Sequence, residues 1–72
     1  MEQIKVYYDE FGQTLTIWFD DPDKEVIAEE VGSDVVMMKS EDGRALGFEI
    51  LNMKYQNPEK LEVLFERFNE VA

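Results

Sequence analysis

The sequence predicts an α+β fold: a five-stranded antiparallel β-meander packed on one face by a single C-terminal α-helix. Two patterns support this prediction. Over about residues 3–51, short segments rich in β-branched and aromatic residues alternate with turn residues. Over about residues 58–71, apolar residues recur at helical spacing. No linker, repeat or low-complexity tract interrupts residues 1–72, so we expect a single domain.

Five strands are expected because four breaks made of turn-forming residues separate the β-rich segments. Residues 9–12 form the first break, and the acidic segment 20–24 forms the second. Gly32-Ser33 suits a type II′ turn, and Asp42-Gly43 suits a type I′ turn. The predicted strands are residues 3–8, 13–19, 25–31, 35–40 and 45–51.

These turns also predict the strand registers, because pairing in an antiparallel hairpin is counted outward from its turn. Directly opposed side chains point to the same face of the sheet. The predicted pairs are Val6 with Leu15, Ile4 with Ile17, Ala28 with Met37, Met37 with Phe48, and Val35 with Ile50. The face that results collects Ile4, Val6, Leu15, Ile17, Phe19, Ala28, Val35, Met37, Leu46, Phe48 and Ile50.

The C-terminal segment carries the signals of a helix that would cover this face. Asn57 is a suitable N-cap, Pro58 stands at the first helical position, and Glu59 suits the positive end of the helix dipole. Five apolar residues then fall on one side of the expected helix, which predicts that it docks on the sheet. They are Leu61, Leu64, Phe65, Phe68 and Val71.

One helix covers one face, so the opposite face of the sheet is expected to expose an apolar patch. On a soluble protein such a patch marks an interaction site, with a protein partner or with a second copy in a homodimer. The alternative is that a loop or a slipped register covers these residues. The candidate interaction residues on this face are Tyr7, Trp18, Ile27, Val36 and Met38.

Composition excludes several classes of function. The chain has no cysteine and no histidine, so it lacks the thiolate and imidazole groups that serve most nucleophilic and transition-metal chemistry. Its net charge of −10 repels nucleic acid and anionic membranes. The aliphatic run 35–38 is far too short to span a bilayer. We therefore expect a cytoplasmic, non-enzymatic protein with no cofactor, no metal, and no nucleic-acid or membrane partner.

Two carboxylate-based functions stay open as alternatives. A calcium loop starting at Asp21 would place Val26 where glycine is required and Gly32 where a bidentate glutamate is required, so the acidic segment is better interpreted as a turn. Paired carboxylates would allow a small carboxylate- or metal-dependent hydrolase, and the candidates are Glu29, Glu30, Glu49 and the aspartates of residues 20–25. Nothing in the sequence indicates a pocket that would separate their pKa values.

Four glutamates on the expected helix recur at spacings of three and four. Such a stripe is commonly a solvated face. The alternative function is an antitoxin-like acidic binder of a small basic protein, which long-range attraction would favour. The residues are Glu59, Glu62, Glu66 and Glu70.

Several short motifs resemble a known bacterial family. They are Tyr8-Asp9 leading into Leu15-Thr16-Ile17, then Glu41-Asp42-Gly43-Arg44, and Gly47-Phe48-Glu49-Ile50-Leu51. Together they resemble the small proteins grouped as domain of unknown function 2283, over about residues 5–52. The most specific part is the D-G-x-x-x-G-[IF]-E-I-L segment. The chain departs from the family pattern at Gln13 and Thr16, where the family commonly has aspartate and tyrosine.

The resemblance implies a compact, β-rich cytoplasmic protein and carries over no catalytic residue, because the family has no established activity. Some relatives are thought of as partners of small toxin-like proteins. The expected helix lies outside the resemblance. The leading hypothesis is therefore an acidic interaction module that self-associates or binds a protein partner.

Overall fold

The computed structural model describes residues 3–69, and it shows one five-stranded antiparallel sheet with two single turns of 3₁₀-helix. The turns are η1 (Pro22–Lys24) and η2 (Pro58–Lys60). The strands are β1 (Lys5–Asp9), β2 (Thr14–Trp18), β3 (Ile27–Gly32), β4 (Val35–Lys39) and β5 (Ala45–Ile50).

The strand order is β1-β2-β5-β4-β3, so the predicted meander is wrong. Residues 19–26 carry the chain from β2 past the ends of β5 and β4 to the far edge of the sheet. Backbone hydrogen bonds hold both ends of this crossover: the N–H groups of Phe19 and Asp20 donate to the Leu46 carbonyl, and the Val26 N–H donates to the Lys39 carbonyl. Strands β3, β4 and β5 then return by two hairpins, which places β5 beside β2.

The first hairpin keeps the predicted faces although its register differs from the prediction. Val6 lies opposite Ile17, and Tyr8 lies opposite Leu15. The Asp9 carboxylate accepts the N–H groups of Phe11 and Gly12 and so builds the turn one residue later than predicted. The shift amounts to two positions in the pairing, and an even shift leaves every side chain on the same face.

The β3–β4 hairpin shows the opposite outcome. Its turn lies at Ser33-Asp34, with Asp34 at φ 62°, instead of at Gly32-Ser33. Ala28 therefore pairs with Met38, and Met37 pairs with Glu29. This one-residue slip exchanges the faces of β3, so the predicted pairing of Ala28 with Met37 is wrong.

The β4–β5 hairpin confirms its predicted pairs, Met37 with Phe48 and Val35 with Ile50. The Ser40 N–H donates to the Arg44 carbonyl, so the turn consists of the three residues 41–43 and is not the predicted two-residue type. Gly43 adopts φ 83°, a left-handed conformation that glycine takes without strain. A register shift between Met38 and Lys39 then restores the predicted alignment.

These registers define two faces, named here by their composition. The apolar face carries Val6, Tyr8, Leu15, Ile17, Phe19, Val35, Met37, Leu46, Phe48 and Ile50, with Glu29 and Lys39 at its β3 side. The mixed face carries Lys5, Tyr7, Asp9, Thr16, Trp18, Ala28, Glu30, Val36, Met38, Gly47 and Glu49.

The predicted C-terminal α-helix is also wrong for the described part of the chain. The helical signals at Asn57-Pro58 produce only η2, without a side-chain cap from Asn57, and Leu61 is already extended with ψ 129°. Residues 61–69 contain no helix and are mostly exposed. A helix this short is marginal in water unless its apolar side docks on a partner, and Val63, Leu64, Phe65 and Phe68 are all strongly exposed. The remaining predicted helical positions, 70 and 71, lie outside the described residues.

Buried hydrophobic residues are few in this single-layer sheet. Leu46 is fully buried at the end of β5 that packs against η1, and Met38 is buried on the mixed face. Most other strand residues are half-buried. The sheet therefore lacks the second layer that normally completes a domain core.

Strands β2 and β5 approach so closely at Gly47 that a side chain has no room there. A Cβ atom on Gly47 would collide with the Ile17 carbonyl oxygen and would lie 3.1 Å from both the Cα and the Cε3 of Trp18. The indole ring therefore lies across Gly47, next to Met38, with which Gly47 pairs.

Replacing Gly47 by alanine should destabilise the fold by about 3 kcal/mol, the upper end of the range for overpacking, because the obstacle is backbone and cannot rotate away. Gly32→Ala is the matched control, since nothing lies within 4 Å of its added methyl group, and it should change stability by less than about 0.5 kcal/mol. Urea unfolding followed by circular dichroism measures both. Equal effects of the two substitutions would contradict the packing described here.

Candidate interaction surface

The apolar face presents two continuous rows of hydrophobic side chains across four strands. The pairing of β1 with β2, β2 with β5 and β5 with β4 places the members of each row directly opposite one another. The Phe19 ring lies 5.9 Å from the Phe48 ring, centroid to centroid, and extends the patch toward the crossover. The first row is Val6, Ile17, Phe48 and Met37, and the second is Tyr8, Leu15, Ile50 and Val35.

One edge of this face is partly covered by the chain that follows β5. The Met53 N–H donates to the Gln13 carbonyl, which brings residues 51–55 back across the end of the sheet. The Tyr8 hydroxyl donates to the Met53 carbonyl, and the Tyr55 ring packs edge-on against Tyr8 with centroids 5.0 Å apart. This segment therefore lies against the β1 end of the second row.

Charge is confined to one side of the apolar face. Glu29 and Lys39 are its charged strand residues, and they form an ion pair at 2.8 Å on β3 and β4. The remainder of the face, formed by the edge strand β1 and by β2 and β5, carries no charged side chain. An apolar centre with a polar margin is the arrangement seen in protein interfaces.

The mixed face brings together four of the five residues predicted as an interaction patch. Tyr7, Trp18, Val36 and Met38 share this face, whereas Ile27 lies on the apolar side because of the β3 register. Met38 is 4% exposed, and Trp18 is half-buried across Gly47.

Charges also divide the mixed face. Glu49 pairs with Thr16 and Val36, so its carboxylate interrupts the row that starts at Tyr7. Glu30 and Lys5 border the remaining apolar side chains. The apolar face thus has the longer uninterrupted hydrophobic rows, and most of its residues are those that the sequence predicts as core.

The predicted glutamate stripe does not form a helical face. Glu59 lies in η2, and Glu62 and Glu66 are exposed on the non-helical segment that follows. Glu70 lies outside the described residues. Several hydrophobic side chains of the same segment are also strongly exposed, including Leu64 at 81% and Phe68 at 87%.

The total surface is large for a chain of this size. The accessible area is 6173 Å², whereas a folded monomer of 8.5 kDa is expected to expose about 4,700 Å². The radius of gyration is 14.1 Å, against about 11 Å for a compact 72-residue domain. The surplus of about 1,500 Å² reflects the open sheet and the exposed C-terminal segment.

The acidic crossover uses its carboxylates to build turns. One Asp20 oxygen accepts the Asp21 N–H at 2.7 Å, and the other contacts the Arg44 guanidinium at 3.0 Å. The Asp21 carboxylate accepts the Asp23 N–H and caps η1. The hydrogen bond from the Asp21 N–H, and then Arg44, lower the pKa of Asp20 below 3.8. Within residues 3–69, no group of three metal-ligating side chains comes together.

A second acidic turn joins β4 to β5. The Ser40 hydroxyl donates to the Asp42 carboxylate, and the Ser40 Oγ in turn accepts the Arg44 N–H at 3.2 Å. Ser40 is buried, so this hydroxyl fixes the turn from inside. Its hydrogen bond, followed by backbone N–H groups of the turn, lowers the pKa of Asp42 below 3.8.

Comparison with known proteins places the whole sheet in one family. A family model described as "Protein of unknown function (DUF2283)" matches residues 5–54, which include all five strands. No curated protein and no solved structure matches. None of the helices in the described part of the chain has the length and hydrophobicity needed to cross a membrane.

The Asp42 turn should make stability depend on pH in acid. Because the folded-state pKa of Asp42 is lower than its ordinary 3.8, the stabilisation is complete above that value and is lost as pH falls through the folded pKa. Wild type should therefore melt at a higher temperature than Asp42→Asn at neutral pH, and the difference should shrink below pH 3.8. Thermal melts over a pH series measure it.

Glu41→Gln is the matched control for this comparison, because it removes the same charge from the same turn and leaves the Ser40–Asp42 hydrogen bond intact. A melting difference that persists in acid would show that the charge of the Asp42 carboxylate is not responsible, and an identical pattern in Glu41→Gln would show that net charge alone is responsible.

Proposed function

The chain belongs to the DUF2283 family of proteins of unknown function, and from its structure we propose that it is a non-enzymatic protein-interaction module that binds through the apolar face. The supporting observation is the pair of hydrophobic rows that cross four strands on one side of a single-layer sheet. Burying such rows is the main favourable term in protein association.

The apolar face is better suited to binding than to catalysis because its polar groups do not come together at one site. Its charged strand residues, Glu29 and Lys39, neutralise each other at one side. The lowered pKa values of Asp20 and Asp42 belong to turn-forming hydrogen bonds at the end of the sheet. An acid–base pair would need carboxylates whose environments push their pKa values apart. The hydrolase alternative has no supporting observation here.

Binding through the apolar face is testable by placing a photo-crosslinker on each face in turn. The photoreactive residue p-benzoylphenylalanine replaces Phe48 in the centre of the apolar face in one variant. It replaces Tyr7, which is 54% exposed on the mixed face, in the other. Both substitutions exchange one aromatic ring for another. After irradiation of the native cells, position 48 should give adducts with another polypeptide, because the partner contacts it directly.

The crosslinker at position 7 should give no more adduct than is found in unirradiated cells. Adducts at position 7 without adducts at position 48 would move the binding surface to the mixed face, as the sequence predicts. Absence of adducts at both positions, with the variants folded by circular dichroism, would overturn the proposal.

A further inference from the structure

We propose that the occupant of the apolar face is a second copy of this chain, packed sheet against sheet about a twofold axis. This inference rests on the proposed function, since it names the partner of the same surface. It commits to a closed homodimer with the row of Ile17, Phe48 and Met37 at its centre. Two sheets that pack face to face lie about 10 Å apart, with their side chains interdigitating between them.

The chain exposes more surface than a compact monomer, as a chain that buries surface in a dimer does. Each chain exposes about 1,500 Å² more than a compact monomer of its mass. A standard interface buries about 800 Å² on each partner. Part of this surplus lies on the open sheet, where the residues of both hydrophobic rows are half-buried, and part lies on the exposed segment 61–69.

The charge distribution favours the apolar face as the interface and a second copy of the chain as the partner. Each chain has a net charge of −10, so two copies associate only through a surface from which carboxylates are absent or neutralised. The apolar face meets this condition because Glu29 is paired with Lys39. The mixed face does not, because Glu30 and Glu49 would meet their counterparts. A basic partner would find no free carboxylate in the centre of the apolar face.

The β3 edge of the sheet opposes edge-to-edge pairing. The outer strand β3 is exposed along its length and carries Glu29 and Glu30 in its middle, with a register irregularity between Glu30 and Gly32. Charged residues and irregularities of this kind oppose the addition of a further strand. A twofold contact between two apolar faces uses both completely, so association stops at the dimer.

Sedimentation equilibrium of the full chain over a range of concentrations tests the proposal. Wild type should have twice the chain mass of 8.5 kDa. Ile17→Lys places an unpaired ammonium in the centre of the interface and should raise the dimer dissociation constant by at least about 100-fold. Thr16→Lys, one residue away on the mixed face, should leave the dissociation constant unchanged.

The dependence of dimerisation on salt concentration gives an independent test. Raising the salt concentration screens the repulsion between two acidic chains, so the wild-type dimer should hold or tighten. An assembly that weakens steeply with salt would indicate attraction between opposite charges and would overturn the sheet-to-sheet dimer.

A cysteine probe keeps the test valid if Ile17→Lys does not fold. The chain has no cysteine, so Met37→Cys on the apolar face and Thr16→Cys on the mixed face each introduce a single thiol. A short bismaleimide should link two copies through position 37 and not through position 16. Equal linking at both positions would overturn the proposed interface.

The outcomes separate this inference from the proposed function. A monomeric wild type whose position-48 crosslinker forms adducts with a different protein would overturn the homodimer and leave the interaction module standing. A monomeric wild type whose position 48 reacts only with residues 61–69 of its own chain would overturn both, because that segment would then cover the apolar face.

Discussion

The close approach of β2 to β5 at Gly47 is the constraint on which the rest of the structure depends. This ladder joins the N-terminal hairpin to the three strands that follow the crossover. Each part alone contributes only half of each hydrophobic row. In the first row, Val6 and Ile17 belong to the N-terminal hairpin, and Phe48 and Met37 belong to the later strands. Because Gly47 has no side chain, the two halves meet and the apolar face becomes continuous.

Sequence predicted the local pairings better than the distant ones. The pairing of Met37 with Phe48 follows from the nearby turn at Gly43, and the structure confirms it. The β1–β2 register differs by an even number of residues, which preserves the faces, whereas the odd slip at Asp34 places Ile27 on the opposite face from the prediction. Nothing local specifies that β2 pairs with β5, because that contact closes a loop of about 30 residues.

The incorrect prediction of a helix affected the predicted interaction site more than the incorrect strand registers did. Apolar spacing from Leu61 to Phe68 shows that one side of the segment is hydrophobic, but docking depends on contacts that the spacing does not contain. Assuming that helix placed the predicted interaction patch on the mixed face, whereas the surface proposed from the structure is the apolar face. In the structure Trp18 lies across Gly47 on the mixed face, next to the buried Met38, while the row through Phe48 has no helix over it within residues 3–69.

The small core connects folding to association. Leu46 and Met38 are the buried hydrophobic residues of the described chain, far fewer than a domain of this length needs for independent stability. A second sheet on the apolar face would bury Ile17, Phe48 and Met37 and so supply the missing layer. The free energy of dimerisation would then form part of the free energy of folding, and the melting temperature would rise with protein concentration. Interaction through this face would therefore serve the fold itself as well as any function of the assembled protein.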